Sequence, residues 1–416
     1  FASVGFFRYS ARQPPFSEDN TDVPGNVSRT PDEGLSGCVV MDVSCLAPRP
    51  LTGVGYYTRD LIRAFLAGHP EWRMRLFASS ARGTKVLNGE FNAELCAVRC
   101  PTRIKNVFWT RFDWPPIEWM AGTADIVHGA FHLLPASRKA RRVVTVFDLS
   151  ALRVPGSRTA SNFRLHMRLL RHAVARADAL IAISESCRAD LVELLRAAPN
   201  RIHVVYGGVS LGEFATPPDT DRLAACRKRF GINKDYFIHL GTLEPRKNVP
   251  RLLEAYARVR ARYRDCPMLV LAGKAGWMYD DVFQTIARLH LEESVVHTGY
   301  LDRADAVSLL RGAFACVYPS LYEGFGLPAL EAMAAHTPVL TSRVSSLPEI
   351  VGDTGILVEP ERVESIEAGL VELLEHRAEA LKRTDAASDR ARRFTWERSA
   401  DALANVYRRV LEGSPS

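Results

Sequence analysis

The feature that most constrains this chain is an alternation that runs through it twice. From Cys38, "CVVMDVS" reads as a strand and "YYTRDLIRAFLAG" as the helix behind it. "RMRLFAS", "DIVHGAF", "RRVVTVFDLS", "ALIAIS" and "RIHVVYGG" follow as strands, with "NFRLHMRLLRHAVARA" and "SCRADLVELLRA" among the helical stretches between them. The pattern breaks at "YGGVSLGEFATPPDTDRL", where Gly, Pro, Thr and Asp crowd together, and then restarts. "YFIHLGT", "MLVLAG", "SVVHTGY", "ACVYPS", "PVLTS" and "GILVEP" read as strands, each with a helix after it. Short apolar runs alternating with helices build a mostly parallel sheet covered on both faces. Two rounds predict two doubly wound α/β domains. Such sheets bind ligands beyond the carboxyl ends of their strands, and two of them facing each other enclose a cleft.

The domain expectation is therefore an irregular arm over 1–37, an N-terminal Rossmann-like domain over 38–212, a C-terminal one over 213–395, and a helix over 396–416 that packs back on the first domain. The arm is rich in Pro, Ser, Gly and Asp and lacks the charged-then-apolar order of a secretory signal. No run approaches the roughly 18 apolar residues a membrane span needs. The eight cysteines are scattered with no CxxC pair, which suits reduced thiols in a cytoplasmic protein. The formal charge of +7 favours anionic partners.

Three segments carry candidate chemistry. In "LTGVGYYTRDL", Gly53, Val54 and Gly55 open a helix, so the backbone can approach an anion at its N-terminus. Thr58 stands where a dinucleotide fingerprint needs glycine, which argues against a dehydrogenase. In "HLGTLEPRKNVPRLLEAYARV", a strand ends at Gly241; Arg246 and Lys247 then precede a helix for which Asn248 is a fair N-cap. Two cations at a helix start are unfavourable without an anion, and a diphosphate would meet guanidinium, ammonium and backbone N–H groups together. In "YPSLYEGFGLPALEAMAAH", Glu323 lies before a glycine turn (Gly324, Phe325, Gly326, Leu327). Glu331 is expected in the first turn of the helix that follows. The two carboxylates can then reach different hydroxyl-bearing parts of one elongated ligand.

These segments together resemble the retaining glycosyltransferases of family 4, with GT-B architecture and an E-x7-E signature. "SSLPEIVGDTGILVEP" and "FTWERSADALANVYRRVL" add to the likeness, which runs from about Cys38 to Leu411. The resemblance implies that a hexose moves from a nucleoside-diphosphate sugar to a glycan or lipid-linked glycan, as in polysaccharide or lipopolysaccharide synthesis. Glu331 would bind the ribose, and Arg246 and Lys247 the diphosphate. Glu323, with the backbone from Gly324 to Leu327, would hold the sugar. Gly53, Val54 and Gly55 would lie across the cleft near the phosphates, Gly241 would border the donor, and Asp148 would join Glu323, Arg246 and Lys247 as a catalytic residue. The family needs no metal, since Arg and Lys stabilise the leaving group. The Asp219-Thr220-Asp221 triplet is read as exposed linker, and His128 and His132 are not expected to bind zinc. The Glu-Pro-Arg-Lys-Asn form of the phosphate segment points to a GDP-sugar.

Two positions depart from the family pattern. Phe147 precedes Asp148 where a histidine is usual, so the position cannot hydrogen-bond a donor hydroxyl. That implies either a 6-deoxyhexose such as rhamnose in place of mannose, or a weakly active homologue that only binds sugar nucleotide or glycan. His336 stands where a glycine turn is usual. A last expectation concerns "NVFWTRFDWPPIEWM". Trp109, Trp114 and Trp119 are interleaved with Arg111, and the basic cluster Arg138, Lys139, Arg141 and Arg142 lies nearby in sequence. Aromatic and basic side chains together suit peripheral contact with the anionic inner face of a membrane. Nucleic acid is not an expected partner.

Overall fold

The structure, a computed structural model, describes residues 36–48, 51–80, 87–215 and 219–413. The expected arm lies outside these as far as residue 35. Seven parallel strands form the first sheet: β1 (Cys38–Asp42), β2 (Arg73–Ser79), β3 (Glu94–Val98), β4 (Ile126–Gly129), β5 (Arg141–Val146), β6 (Ala179–Ala182) and β7 (Ile202–Val204). Their spatial order is β3-β2-β1-β4-β5-β6-β7. Six more form the second: β8 (Tyr236–Leu240), β9 (Met268–Ala272), β10 (Val295–Gly299), β11 (Ala315–Tyr318), β12 (Val339–Ser342) and β13 (Ile356–Val358), ordered β10-β9-β8-β11-β12-β13. Both are Rossmann-like sheets, as the alternation predicts. Central strands such as β4, β9 and β12 are buried along their whole length, which is why they read as unbroken apolar runs. Among the strands of the described residues, β3 alone escaped the sequence reading. It is a half-exposed edge strand, "ELCAV", and lacks that signature.

In each sheet the strand order reverses once, between β1 and β4 and between β8 and β11. Loops leaving neighbouring strands there diverge and open a crevice at their carboxyl ends. The chain passes from β7 to the second sheet through short helices Gly212–Ala215 and Thr220–Phe230. It returns at Thr395, where Val209 N donates to the Phe394 carbonyl (2.9 Å) and Val209 bridges Thr395. Asp219 caps the helix Thr220–Phe230 through the Arg222 amide at 2.8 Å, so the Asp-Thr-Asp triplet is a helix start.

The helix Trp396–Glu412 lies against the helix Gly53–Gly68 of the first half. Tyr57 meets Trp396 edge-on at 5.5 Å, and Phe65 and Trp72 enclose Tyr407 at 5.6 and 5.5 Å. The Tyr407 hydroxyl reaches His128 Nδ1 at 2.6 Å, and His128 Nε2 reaches Thr145 Oγ1 at 2.9 Å. His128 is thus a satisfied core residue. Burying each of these large side chains stabilises the packing by about 1.5–3 kcal/mol.

Candidate active site

The two loops at the reversal point of the second sheet converge on one carboxylate. After β8 the chain turns at Gly241, whose φ of 150° excludes most side chains, and enters a tight turn, Pro245–Lys247. Arg246 Nη1 meets Glu323 Oε2 at 2.6 Å, and Lys247 Nζ meets Glu323 Oε1 at 2.7 Å. Arg246 Nε also pairs with Glu244 Oε1 at 2.6 Å, and Lys247 donates to the Tyr318 hydroxyl. Glu323 arrives on the loop after β11, where its amide donates to Ser345 Oγ at 2.9 Å. Lys247 is thus buried, Arg246 is partly buried, and both are held by carboxylates. Burial alone would raise the Glu323 pKa, but Arg246 and Lys247 outweigh it and hold the carboxyl at about 2. Burial disfavours the charge on Arg246, yet Glu323, Glu244 and Asp148 raise its pKa well above the ordinary value. Burial and the adjacent Arg246 lower that of Lys247.

Asn248 sits at the N-cap position in left-handed conformation but caps nothing; its amide donates instead to the carbonyls of Pro319 (3.0 Å) and Pro360 (2.6 Å). It therefore braces the turn that presents Arg246 and Lys247. A second correction concerns Glu331. The helix begins at Leu327 behind Gly326 (φ 108°), so Glu331 lies past the first turn, beyond the strongest field of the helix end. It is ion-paired with Arg303, which also holds Glu213 at 2.6 Å. Burial raises the Glu331 pKa despite Arg303. No sequence signal marked Arg303; it stands just after the N-cap Asp302 of an unremarkable helix, Arg303–Arg311.

The first half closes over this cluster. Asp148, at the end of β5, accepts from Ser150 N (3.0 Å) and Ser150 Oγ (2.6 Å), and Arg158 Nη2 lies 3.5 Å away. Burial would raise its pKa, but the charges of Arg246 and Arg158 hold it well below the carboxylate range. A Cβ on Gly324 would run into the Phe147 carbonyl, so only glycine permits this approach. Ser184 Oγ donates to the Gly324 carbonyl at 2.7 Å, and the Tyr322 hydroxyl donates to Asp190 Oδ2 at 2.6 Å. Glu349 accepts from the amides of Glu185 (2.9 Å) and Ser186 (3.3 Å). Trp277 Nε1 donates to the Ser157 carbonyl at 2.6 Å. The sequence reading missed all of these cross-links, because each pairs an ordinary polar residue with a backbone or side-chain group far along the chain.

Gly53 opens the helix Gly53–Gly68, with open space where a Cβ would stand. One residue beyond Gly55, the Tyr56 hydroxyl meets that of Tyr300 at 3.1 Å, which brings this helix start to the second half. Phe325 turns its ring toward Tyr206 and Phe394, so only its backbone faces the turn. The Phe147 ring is buried against Tyr57 (4.9 Å), Phe131 (5.8 Å) and His132 (6.1 Å). His336 takes the turn conformation (φ 53°) and its imidazole pairs with Asp385 at 3.3 Å.

Comparison with known proteins finds matches along both halves of the chain. Residues 51–213 match the glycosyltransferase family 4 domain, and residues 226–393 match the glycosyl transferases group 1 domain. The O-antigen chain mannosyltransferase B of Escherichia coli is 28% identical over 86% of this chain and 96% of its own length. Among solved structures, a sucrose-phosphate synthase of Thermosynechococcus elongatus superposes with a TM-score of 0.71 at 19% identity, over 91% of this chain and all of the other. Anabaena HepE in complex with UDP-glucose gives 0.65 at 19% identity, over 89% of this chain and 99% of the other.

Proposed function

From a chain that is a two-domain GT-B glycosyltransferase, with a family 4 half and a group 1 half, we propose a hexosyltransferase. It takes mannose, from GDP-mannose, to a glycan or lipid-linked glycan of the O-antigen or lipopolysaccharide kind, with retained configuration. The observation that carries the reading is the Arg246–Lys247 pair, fixed by Glu323 at the reversal point of the second sheet. Breaking the bond between anomeric carbon and phosphate leaves negative charge on the diphosphate. Preorganised cations there favour the transition state over the bound substrate. In this reading they meet the diphosphate charge without a metal, and the acceptor proton passes to the leaving phosphate on the face where attack occurs. Glu331 takes the ribose hydroxyls and Glu323 orients the sugar. The mannose assignment follows the E. coli relative, and the nucleotide-sugar partner follows the UDP-glucose complex of the structural neighbour.

Phe147 supports a second donor. An aromatic ring favours a methyl group over a hydroxyl, so a 6-deoxyhexose such as rhamnose is the alternative. The membrane reading changes in its residues. Trp109 is fully buried and donates to the Pro115 carbonyl (3.0 Å), so it is not an interfacial anchor. Ile104, Val107, Phe108, Phe112, Trp114 and Trp119 are exposed instead, and Arg138 lies over Trp119 at 5.6 Å. Arg141 and Arg142 are engaged by Asp178 and Asp113. Among the described residues no helix is long and apolar enough to cross a membrane, so this patch would bind peripherally, at the inner face.

A thermal-shift screen with GDP, UDP and their sugars tests the donor, since a ligand of the native state stabilises by mass action. GDP and GDP-mannose should raise Tm most. Donor hydrolysis and transfer to a mannose-ended acceptor then separate an enzyme from a homologue that only binds. A chain that GDP-sugars stabilise but that neither hydrolyses nor transfers them would reject the catalytic reading.

A further inference from the structure

Two buried histidines stand behind Phe147 and Asp148. His132 follows β4 at the reversal point of the first sheet, in left-handed conformation (φ 47°) and with no exposed surface. Its ring is edge-on to His166 at 4.6 Å and to Phe147 at 6.1 Å. Neither ring nitrogen of His132 has a hydrogen-bond partner, nor has Nε2 of His166. Burial, and for His132 the neighbouring His166, pushes the pKa of both rings down, so they are neutral.

A neutral imidazole carries one donor and one acceptor. Leaving such a group buried and unpaired is costly, and a non-glycine residue in left-handed conformation adds strain. Folded proteins pair most buried side-chain polar atoms. Three unpaired ring nitrogens together, at the carboxyl edge of a sheet and beside Asp148, mark a place where a ligand completes the bonding. The chemistry narrows that ligand. Neutral rings do not select an anion. Among the described residues no three His, Cys, Asp or Glu side chains group so as to hold a metal ion. A hydroxyl, which donates and accepts at once, matches both nitrogens.

We propose that His132, backed by His166, hydrogen-bonds a hydroxyl of the transferred sugar, so that the polar contact moves from position 147 to position 132 and Phe147 packs beside it. The proposal rests on the donor-site reading above, which places the diphosphate on Arg246, the guanidinium that most lowers the Asp148 pKa. In this arrangement both histidines are buried.

The test compares thermal stabilisation by GDP with that by GDP-mannose. In the native chain GDP-mannose should stabilise more. His132→Phe should keep the GDP effect, which certifies its fold, and weaken GDP-mannose by about tenfold or more, the loss of one buried hydrogen bond. The double variant His132→Phe/Phe147→His should recover part of that loss. A single variant that keeps the full difference between the two ligands overturns the proposal. No stabilisation of the native chain by GDP removes the donor-site reading, and the proposal with it. If His132→Phe does not fold, nitrogen NMR of the native chain labelled at histidine decides. The His132 ring signals should move with GDP-mannose and not with GDP, and an equal response to both overturns the assignment.

Discussion

Arg246 and Glu323 are 77 positions apart in the chain and meet at 2.6 Å, joining the loop after β8 to the loop after β11. Glu323 takes Arg246 on one oxygen and Lys247 on the other. Glu323 and Lys247 are buried and Arg246 is partly buried. The desolvation cost of each charge is offset only while its partner is present. Binding and folding therefore draw on the same ion pairs.

Lys247→Met should weaken nucleoside diphosphate binding by about 1.5–3 kcal/mol, the worth of a charge-assisted contact, while Arg246 still pairs with Glu323. Arg246→Met should in addition lower stability by about 3–5 kcal/mol, because Glu244 and Glu323 are left with Lys247 alone. Titration calorimetry with GDP and denaturant unfolding measure the two effects. Unchanged diphosphate affinity in both variants would refute the clamp.

The Glu323 carboxyl is held at about 2 in the folded chain, against 4.5 for an ordinary glutamate. A depressed carboxylate pKa contributes stability that is fully present above the ordinary value and is lost as pH falls through the folded one. Unfolding free energy should therefore fall between about pH 4.5 and pH 2, and Glu323→Gln should flatten that slope. Equal slopes in native and variant chains would show that the pair does not contribute.

Glu331→Gln should mainly raise the donor KM, since ribose contacts are alike in ground and transition states. Glu323→Gln should mainly lower kcat, since it bears on the reacting sugar. Steady-state kinetics at varied donor decides; the same kinetic signature in both variants would refute this division.

Gly324→Ala should destabilise by about 1–3 kcal/mol or push the halves apart, because a Cβ there collides with the Phe147 carbonyl. Gly53→Ala meets no atom within 4 Å, so it should leave Tm unchanged. Its effect should appear only as weaker donor binding, because the added methyl group stands at the helix start that the donor approaches. Thermal unfolding with and without GDP separates the two substitutions.

The exposed side chains of Phe112, Trp114 and Trp119 should carry the chain to anionic vesicles at low salt. Phe112→Asp/Trp119→Asp should abolish co-sedimentation, and Trp109→Phe should not, since Trp109 is core. Equal binding by native and double-variant chains would reject this surface.

The two sheets could be read from residue order. All but one of the strands in both were legible, because parallel strands buried on both faces leave unbroken apolar runs between helical stretches. The sequence also singled out Arg246, Lys247, Glu323 and the glycine turn, because residues adjacent in sequence formed those patterns. Only the tertiary structure paired Glu323 with both cations, gave Glu331 its partner Arg303, took Trp109 into the core and set His132 behind Phe147. A local pattern records what the backbone does over a few residues. Which charges neutralise each other, and which polar atoms stay unpaired, depends on loops that meet only after both sheets have formed and the two halves have closed. Burial then makes those distant meetings strong, since a charge or ring nitrogen removed from water has no other partner to turn to.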